Sequence, residues 1–343
     1  MKKRRLLAAL AAAAMSVTML AGCGGDKPAA SGSGSAAKSG GGDGGLNMTM
    51  IIASRDEFMS TLEASCKDAA KDMGINMTTQ DAQFDTSKML QYIETARNNG
   101  EDAVIINIVD PETAQQCIDA AGDMKVVFVN RSLDESVYSQ FDENVCGVWS
   151  DEDTSGYYQG EYLAKYFKDQ GKTDVKYIMM CGTLGQVYTT KRTEGAIKAL
   201  KDNGINPIPA TADLVGEYDR ATAMDQISPL VATLDYDCVI CNNDSMAEGA
   251  ITALNTIGYN QDGGDKTIPV FGVDATDAAK SLISKGQMAG SIKQDADGMA
   301  QCITDIISNV AAGKDMMDGI ADKYTVDDSV NKIRIPYQIY LGE

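Results

Sequence analysis

Between Cys238 and Cys241 a short apolar run stops on Asn242, Asn243 and Asp244, and an apolar stripe at helical spacing (Met246, Ala250, Leu254, Ile257) begins at once. Such a junction predicts a buried strand, a polar turn with Asp244 placed to cap, and a helix. It recurs along the chain. Asp56 follows Met50 to Ala53, Asp110 follows Val104 to Val109, Asn130 follows Val126 to Val129, and Asp274 follows Ile268 to Val273. Strand-to-helix repeats of this kind predict a parallel sheet covered by helices on both faces. Ligands of such sheets sit at the carboxyl ends of the strands, so these polar turns are where a ligand should be met.

The rhythm runs twice. Strand Met48 to Ala53, a helix with apolar face Phe58, Leu62, Cys66, Ala69 and Met73, then Asn76 to Thr79, Ser87 to Asn98, Ala103 to Ile108, Pro111 to Ala121 and Val126 to Val129 form the first set. After an irregular segment it restarts with helix Ser155 to Asp169, strand Val175 to Met180, helix Thr189 to Asp202, strand Pro207 to Leu214 and helix Arg220 to Leu234. Strand Ile268 to Val273, helix Asp277 to Lys285, strand Ala289 to Ile292, helix Asp295 to Ala312 and a final strand Lys332 to Tyr340 close the chain. Two sheets in tandem, each with polar strand ends, predict two α/β lobes facing across a cleft. At 343 residues and 44% hydrophobic content, two cores are affordable.

The chain carries 49 acidic against 30 basic residues, a net charge of −19, and no histidine. Without Lys2, Lys3, Arg4 and Arg5 the balance is 26 basic against 49 acidic, or −23. Nucleic acid is therefore not an expected partner. The absence of histidine removes Ser-His-Asp and Cys-His catalysis and every His-ligated metal site. No Gly-x-Gly-x-x-Gly follows the first strand, where Ser54-Arg55-Asp56 stands instead, so a dinucleotide enzyme is not expected either. Seven cysteines beyond Cys23 are scattered at positions that read as core. Cys238 and Cys241 have redox spacing, but residues three apart on a strand face opposite sides of the sheet.

Residues 1–22 combine a basic start, an apolar stretch from Leu6 to Leu20 and small residues before Cys23, which predicts an export signal cleaved ahead of Cys23. The run Leu20-Ala21-Gly22-Cys23 resembles a bacterial lipobox and implies a lipid-modified Cys23 anchored at the outer face of the cell membrane. The apolar run is shorter than the ~20 residues a membrane span needs. From residue 24 to 46 the composition falls to Gly, Ser, Ala, Lys and Asp, a flexible tether reaching roughly 25 Å.

The remaining ~290 residues are similar to bacterial solute-binding proteins of the ribose/galactose type, and within them to the galactose/glucose-binding branch. The matching runs are Asp56-Glu-Phe58-Met-Ser, Ile106-Asn-Ile-Val-Asp110-Pro111, Val127-Phe-Val-Asn130-Arg131, Arg192-Thr-Glu-Gly195, Asn242-Asn-Asp-Ser-Met-Ala, Ile268-Pro-Val-Phe-Gly-Val-Asp274-Ala275 and Arg334-Ile-Pro-Tyr337. The resemblance implies two Rossmann-like lobes joined by a three-strand hinge near Trp149-Ser150, Gln294 and Arg334-Ile335. One lobe would comprise 47–149 plus 295–333, the other 150–294 plus 334–343. It also implies a monomer with no catalytic activity and no cofactor. This would close on a monosaccharide and be read by an ABC permease, or by a chemoreceptor or histidine kinase.

Residue by residue, the resemblance implies that Asp56 accepts from sugar hydroxyls and that Phe58 covers one ring face. Asn130, Arg192, Asn243 and Asp274 would hydrogen-bond the ring. Tyr218 stands where a tryptophan covers the other face, and Gln294 replaces an asparagine. Gln186 and Tyr188 depart further, occupying places of a histidine and an aspartate, the latter near the anomeric end. The segment Lys168 to Asp174 lacks the oxygen ligands of the related calcium loop, so no calcium is expected there. These residue types suit a polyol, since carboxylates, amides and guanidinium match hydroxyls in both senses while aromatic rings cover apolar C–H faces. Plainer roles exist for several of them. Asp110, Asp151, Asp244 and Asp295 read as helix caps, Phe58 begins its helix's apolar stripe, Arg192 could pair with Glu194, and Trp149 reads as hinge packing.

Overall fold

Seven described strands form the first sheet: β1 (Asn47–Ile52), β2 (Asn76–Asp81), β3 (Ala103–Ile106), β4 (Lys125–Val129), β5 (Val145–Ser150), β12 (Thr325–Asp327) and β13 (Lys332–Ile335). They run in the order β12-β13-β5-β4-β3-β1-β2 and are parallel except where β12 meets β13. The second sheet contains β6 (Asp174–Cys181), β7 (Asn206–Pro209), β8 (Leu214–Val215), β9 (Cys238–Cys241), β10 (Val270–Asp274), β11 (Gly290–Lys293) and β14 (Gln338–Tyr340). Its order is β14-β11-β10-β9-β6-β7, with β8 paired to β6, and only β14 runs antiparallel. The computed structural model describes residues 45–342 apart from 134 and 328. The expected export signal over 1–22, the lipid site at Cys23 and the tether up to residue 44 lie outside the described residues.

The strands are apolar on both faces because helices cover both. Met48, Met50 and Ile52 of β1 join Ile105 and Val127 in one core, while Ile51 joins Val104, Ile106 and Phe128 in another. Helices α1 (Glu57–Asp72), α2 (Thr86–Asn98), α3 (Ala114–Ala121) and α4 (Glu135–Tyr138) are interleaved with the first five strands. Helices α5 (Glu152–Lys168), α6 (Val187–Asp202), α7 (Arg220–Ile227), α8 (Asp244–Thr256) and α9 (Asp277–Ser284) flank the second sheet. Helix α10 (Ala296–Ala311) returns to the first, where Met299, Ile303 and Ile306 share a core with Leu62 and Met50.

Three differences from the sequence reading have local causes. The final strand is two: Pro336 has no N–H to donate, and around it the chain passes from β13 in the first sheet to β14 in the second. Arg334 and Ile335 therefore pair with Trp149 and Ser150, so both handovers fall one or two residues later than the expected 149/150 and 333/334 boundaries. Helix α7 stops at Ile227 rather than running to Leu234, just ahead of Pro229, and residues 210–213 divide the expected strand Pro207 to Leu214 into β7 and β8.

The seven cysteines outside residue 23 are buried and unpaired. Cys238 and Cys241 enter different cores on the two faces of the second sheet, so they form no dithiol. Burial pushes the Cys66 and Cys117 thiols up to about 12. Three segments carry the chain between the sheets, after Ser150, at Gln294 and at Pro336. They hold one another: Gln294 Nε2 donates to Ser150 Oγ at 3.0 Å, and the Asp151 amide donates to the Ile335 carbonyl at 3.0 Å.

Candidate functional site

The carboxyl ends of the strands in both sheets border one cavity of about 240 Å³. Asp56, Phe58, Asn130, Tyr188, Arg192, Tyr218, Asn243, Asp274 and Gln294 all line it. Gln186 does not; it lines an adjoining cavity on the far side of Tyr188. The backbone marks the same place independently. Phe84 (φ 58°), Asn130 (φ 65°), Glu217 (φ 55°), Tyr218 (φ 60°) and Asp274 (φ 121°) carry positive φ and all border the cavity. Such conformations cost about 1–3 kcal/mol each in non-glycine residues and gather where a binding geometry is held.

The hub of the site is Arg192, buried on α6. Gly156 of α5 lets the two helices approach so closely that a Cβ there would lie 2.1 Å from the Arg192 carbonyl oxygen. The Arg192 guanidinium then reaches all three crossing segments. It donates to Glu152 Oε2 at 3.3 Å in the first, to Gln294 Oε1 at 3.4 Å in the second and to the Tyr337 hydroxyl at 2.9 Å in the third. Nη1 also donates to the Asn242 carbonyl at 2.8 Å and stands 4.0 Å from Asp274 Oδ1. Burial works against this charge, but Glu152, Tyr337 and Asp274 together raise its pKa well above the ordinary value. The expected surface partner Glu194 is replaced by buried Glu152.

Asp274 ends β10 with its side chain beside Arg192. Burial, opposed by Arg192 and reinforced by Asp244, Asp56 and Glu152, pushes its carboxyl well above the usual carboxylate range. Asp56 combines both roles open to it, since Oδ1 caps α1 by accepting from the Met59 amide at 2.7 Å while the residue also lines the cavity. It keeps an exposed face, yet protein crowds its carboxyl, and burial raises its pKa as well.

The turn between β9 and α8 is capped by a different residue from the one expected. Asn243, not Asp244, caps α8: its Oδ1 accepts from the Met246 amide at 3.0 Å and its Nδ2 donates to the Tyr218 carbonyl at 3.4 Å. Asp244 is fully buried one residue later, accepting from Ser291 Oγ at 2.7 Å and from the Thr276 amide at 2.9 Å. Asp110 does cap, accepting from the Glu112 amide at 3.0 Å. Asp151 and Asp295 stand at helix starts without a side-chain capping bond, so that reading of them is also corrected.

The rings are braced. Tyr188 and Tyr218 lie 5.4 Å apart at 38°, and the Arg192 guanidinium stands 5.6 Å from the Tyr188 centroid. The Tyr218 hydroxyl meets Thr189 Oγ1, and its ring occupies the space where a Cβ on Gly182 would fall 1.9 Å away. Phe58, 8% exposed, belongs to the first core and also lines the cavity.

Several participants were not singled out from sequence. Arg131 lies 5.3 Å from the Phe84 ring centroid and donates to the Ile108 and Val109 carbonyls. Asn107 accepts from the Ala53 amide and donates to Asn130 Oδ1 at 3.0 Å, which orients Asn130. Trp149 donates from Nε1 to the Arg131 carbonyl at 2.8 Å, so it steadies the strand end that carries Asn130 rather than the hinge alone. Arg131, Asn107 and Tyr337 stood inside the matching runs; Phe84 and Glu152 had no local signal, because each gains its role from a residue of another element.

Comparison with known proteins assigns this architecture. A family model described as a periplasmic binding protein domain matches residues 48–315. The D-galactose/methyl-galactoside binding periplasmic protein of Haemophilus influenzae is 30% identical over 294 residues, covering 82% of this chain and 85% of that protein. The chain belongs to the periplasmic binding protein family of the ribose/galactose type. A putative rhizopine-binding protein of Rhizobium meliloti is 28% identical to this binding protein, covering 76% of this chain and 82% of that one. Among solved structures, a solute-binding protein of an ABC transporter from Bacillus halodurans, with bound myo-inositol, superposes on the binding protein with a TM-score of 0.70. It is 25% identical and covers 88% of this chain and 96% of that one. Members of the family are non-enzymatic transport components. No helix among the described residues is long and apolar enough to cross a membrane.

Proposed function

We propose that this binding protein captures one monosaccharide, a hexose of the galactose or glucose kind, and presents the closed form to an ABC permease. The carrying observation is the cavity of about 240 Å³ on which Asp56, Asn130, Arg192 and Asp274 converge with Phe58, Tyr188 and Tyr218. That volume is below the ~300–1,000 Å³ of drug-sized pockets and suits one small ring. Hydroxyls have both acceptors and donors to meet there, and closure between lobes removes the water that would weaken those bonds. The name of the 30% identical relative supports the same class.

A cyclitol is the second reading. Tyr188 stands where the related proteins imply a charged acceptor near the anomeric end, and a cyclitol has no anomeric carbon. The myo-inositol bound to the 25% identical structure supports it as well. Ribose, xylose or a furanose stand behind these two.

A thermal-shift and calorimetric panel of D-galactose, D-glucose, D-ribose, D-xylose and myo-inositol on the protein lacking residues 1–45 tests the class. A ligand at ~100 times its Kd adds about 2.7 kcal/mol. A shift with a nucleoside or amino acid and none with these polyols overturns it. Export and lipidation at Cys23 complete the proposal, with a monomeric receptor at the outer face of the cell membrane. Loss of radiolabelled fatty acid from Cys23→Ser is expected, and retained label refutes the lipid site. Delivery to a chemoreceptor or histidine kinase instead of a permease would show as intact binding without uptake in cells.

A further inference from the structure

The binding cavity is not the end of the cleft. A second cavity of about 230 Å³ adjoins it, and Arg131 and Tyr188 wall both. It too is built by both lobes, with Pro111 and Leu133 on one side and Gln186 and Val187 on the other. We propose that this is a second subsite, through which the protein takes, besides the free hexose, a neutral hexoside with a ring-sized, hydroxyl-bearing substituent, a disaccharide in the simplest case. The proposal rests on the reading that the first cavity takes a hexose, and extends it.

Three observations point to this chemistry. The two volumes are nearly equal, so whatever ring fills the first has a counterpart of the same size in the second. The walls mix apolar surface with hydrogen-bonding groups, as a sugar ring requires. Pro111, Leu133 and Val187 offer the former, and Ser132 and Gln186 carry the latter. Charge completes the assignment. Asp110 and Glu112 border the subsite, and Arg131, the cation that lines it among the described residues, already donates to two carbonyls and lies over Phe84. A phosphorylated or acidic substituent would meet two carboxylates, so the extension is uncharged. Gln186 and Tyr188 are also the two positions that depart furthest from the galactose/glucose pattern.

The experiment is isothermal titration of the protein lacking residues 1–45 with D-galactose, D-glucose, and α- and β-linked disaccharides of each: melibiose, lactose, maltose and cellobiose. The expected result is that a disaccharide containing the accepted hexose binds at least tenfold more tightly than the hexose. Val187→Trp fills the second cavity from an exposed helix start and should abolish that gain while moving hexose affinity less than twofold. Gln186→Ala should weaken only the disaccharide, by roughly tenfold. A hexose that binds with no disaccharide binding more tightly overturns the proposal. So does a Val187→Trp penalty shared equally by both ligands in a protein whose melting temperature is unchanged. If hexoses and disaccharides alike fail to bind, the hexose reading of the first cavity is wrong and the extension falls with it.

Discussion

Arg192 donates to the Tyr337 hydroxyl at 2.9 Å, and that hydroxyl in turn donates to Glu152. One phenol thus joins a cavity-lining cation to two of the three segments that cross between the sheets, with all three groups buried. Tyr337→Phe removes the link and leaves Glu152 short of a donor in a dry site. The expected cost is about 1–3 kcal/mol of stability together with weaker ligand binding. Urea unfolding and calorimetry on the same preparation check it; a variant with unchanged stability and affinity would deny Tyr337 this role.

Asp274 sits at φ 121° beside Ala275 at φ 52°, a conformation glycine adopts freely. Asp274→Gly is expected to raise the stability of the ligand-free protein by about 1 kcal/mol or more while abolishing binding. Its companion Asp274→Asn keeps the shape and should lose roughly tenfold or more in affinity. Thermal melts with and without ligand separate the two effects. A glycine variant that still binds would remove Asp274 from the ligand's contacts.

Gly156 exists to bring α5 against α6. A methyl group there would meet the Arg192 main chain at 2.1 to 2.7 Å, with no flexible side chain to give way. Gly156→Ala is expected to destabilise by about 1–3 kcal/mol and to displace the guanidinium, weakening ligand binding. Equal melting temperatures and equal Kd values for variant and parent would contradict this packing.

Ligand binding should release protons. Asp274 and Asp56 have raised pKa values without ligand, and sugar hydroxyls donate best to their ionised forms. Affinity is therefore expected to rise with pH as these carboxyls ionise, above the usual carboxylate range. Titrations in two buffers of different ionisation heat measure the protons released, and uptake would reverse the assignment.

Stability without ligand carries the opposite slope. Burial raises Asp244 and Glu248 to about 7. Their folded pKa values exceed the unfolded ones, so the folded state holds more protons and this contribution falls as pH rises from about 4 to about 7. Glu63 is lowered to about 2, because Lys67, Thr79 and Arg55 outweigh its burial. Its contribution is present above the usual carboxylate range and is lost as pH falls towards 2. Glu248→Gln should flatten the upper slope in a pH series of melts and leave the acid limb unchanged.

Local pattern carried a great deal. The apolar run Cys238–Cys241 before Asn242, and its repeats at Asp56, Asn130 and Asp274, fix strand ends and helix starts through short-range forces, so two α/β layers with polar strand ends were legible from the chain alone. The same rules picked Asp244 as the cap of α8, although Asn243 can equally accept a helix N–H and is the residue that does so. That choice fell to Ser291 and Thr276, which lie 47 and 32 residues from Asp244 and claim its carboxylate. Glu152 and Tyr337 became part of the site only when three separate crossings came within reach of one guanidinium. Phe84 gained its place from Arg131, and Gln186 lost its place in the first cavity to the wall formed by Tyr188. Periodicity records which face of an element is buried; which distant residue meets it is set by the packing of the lobes, and on that the linear pattern is silent.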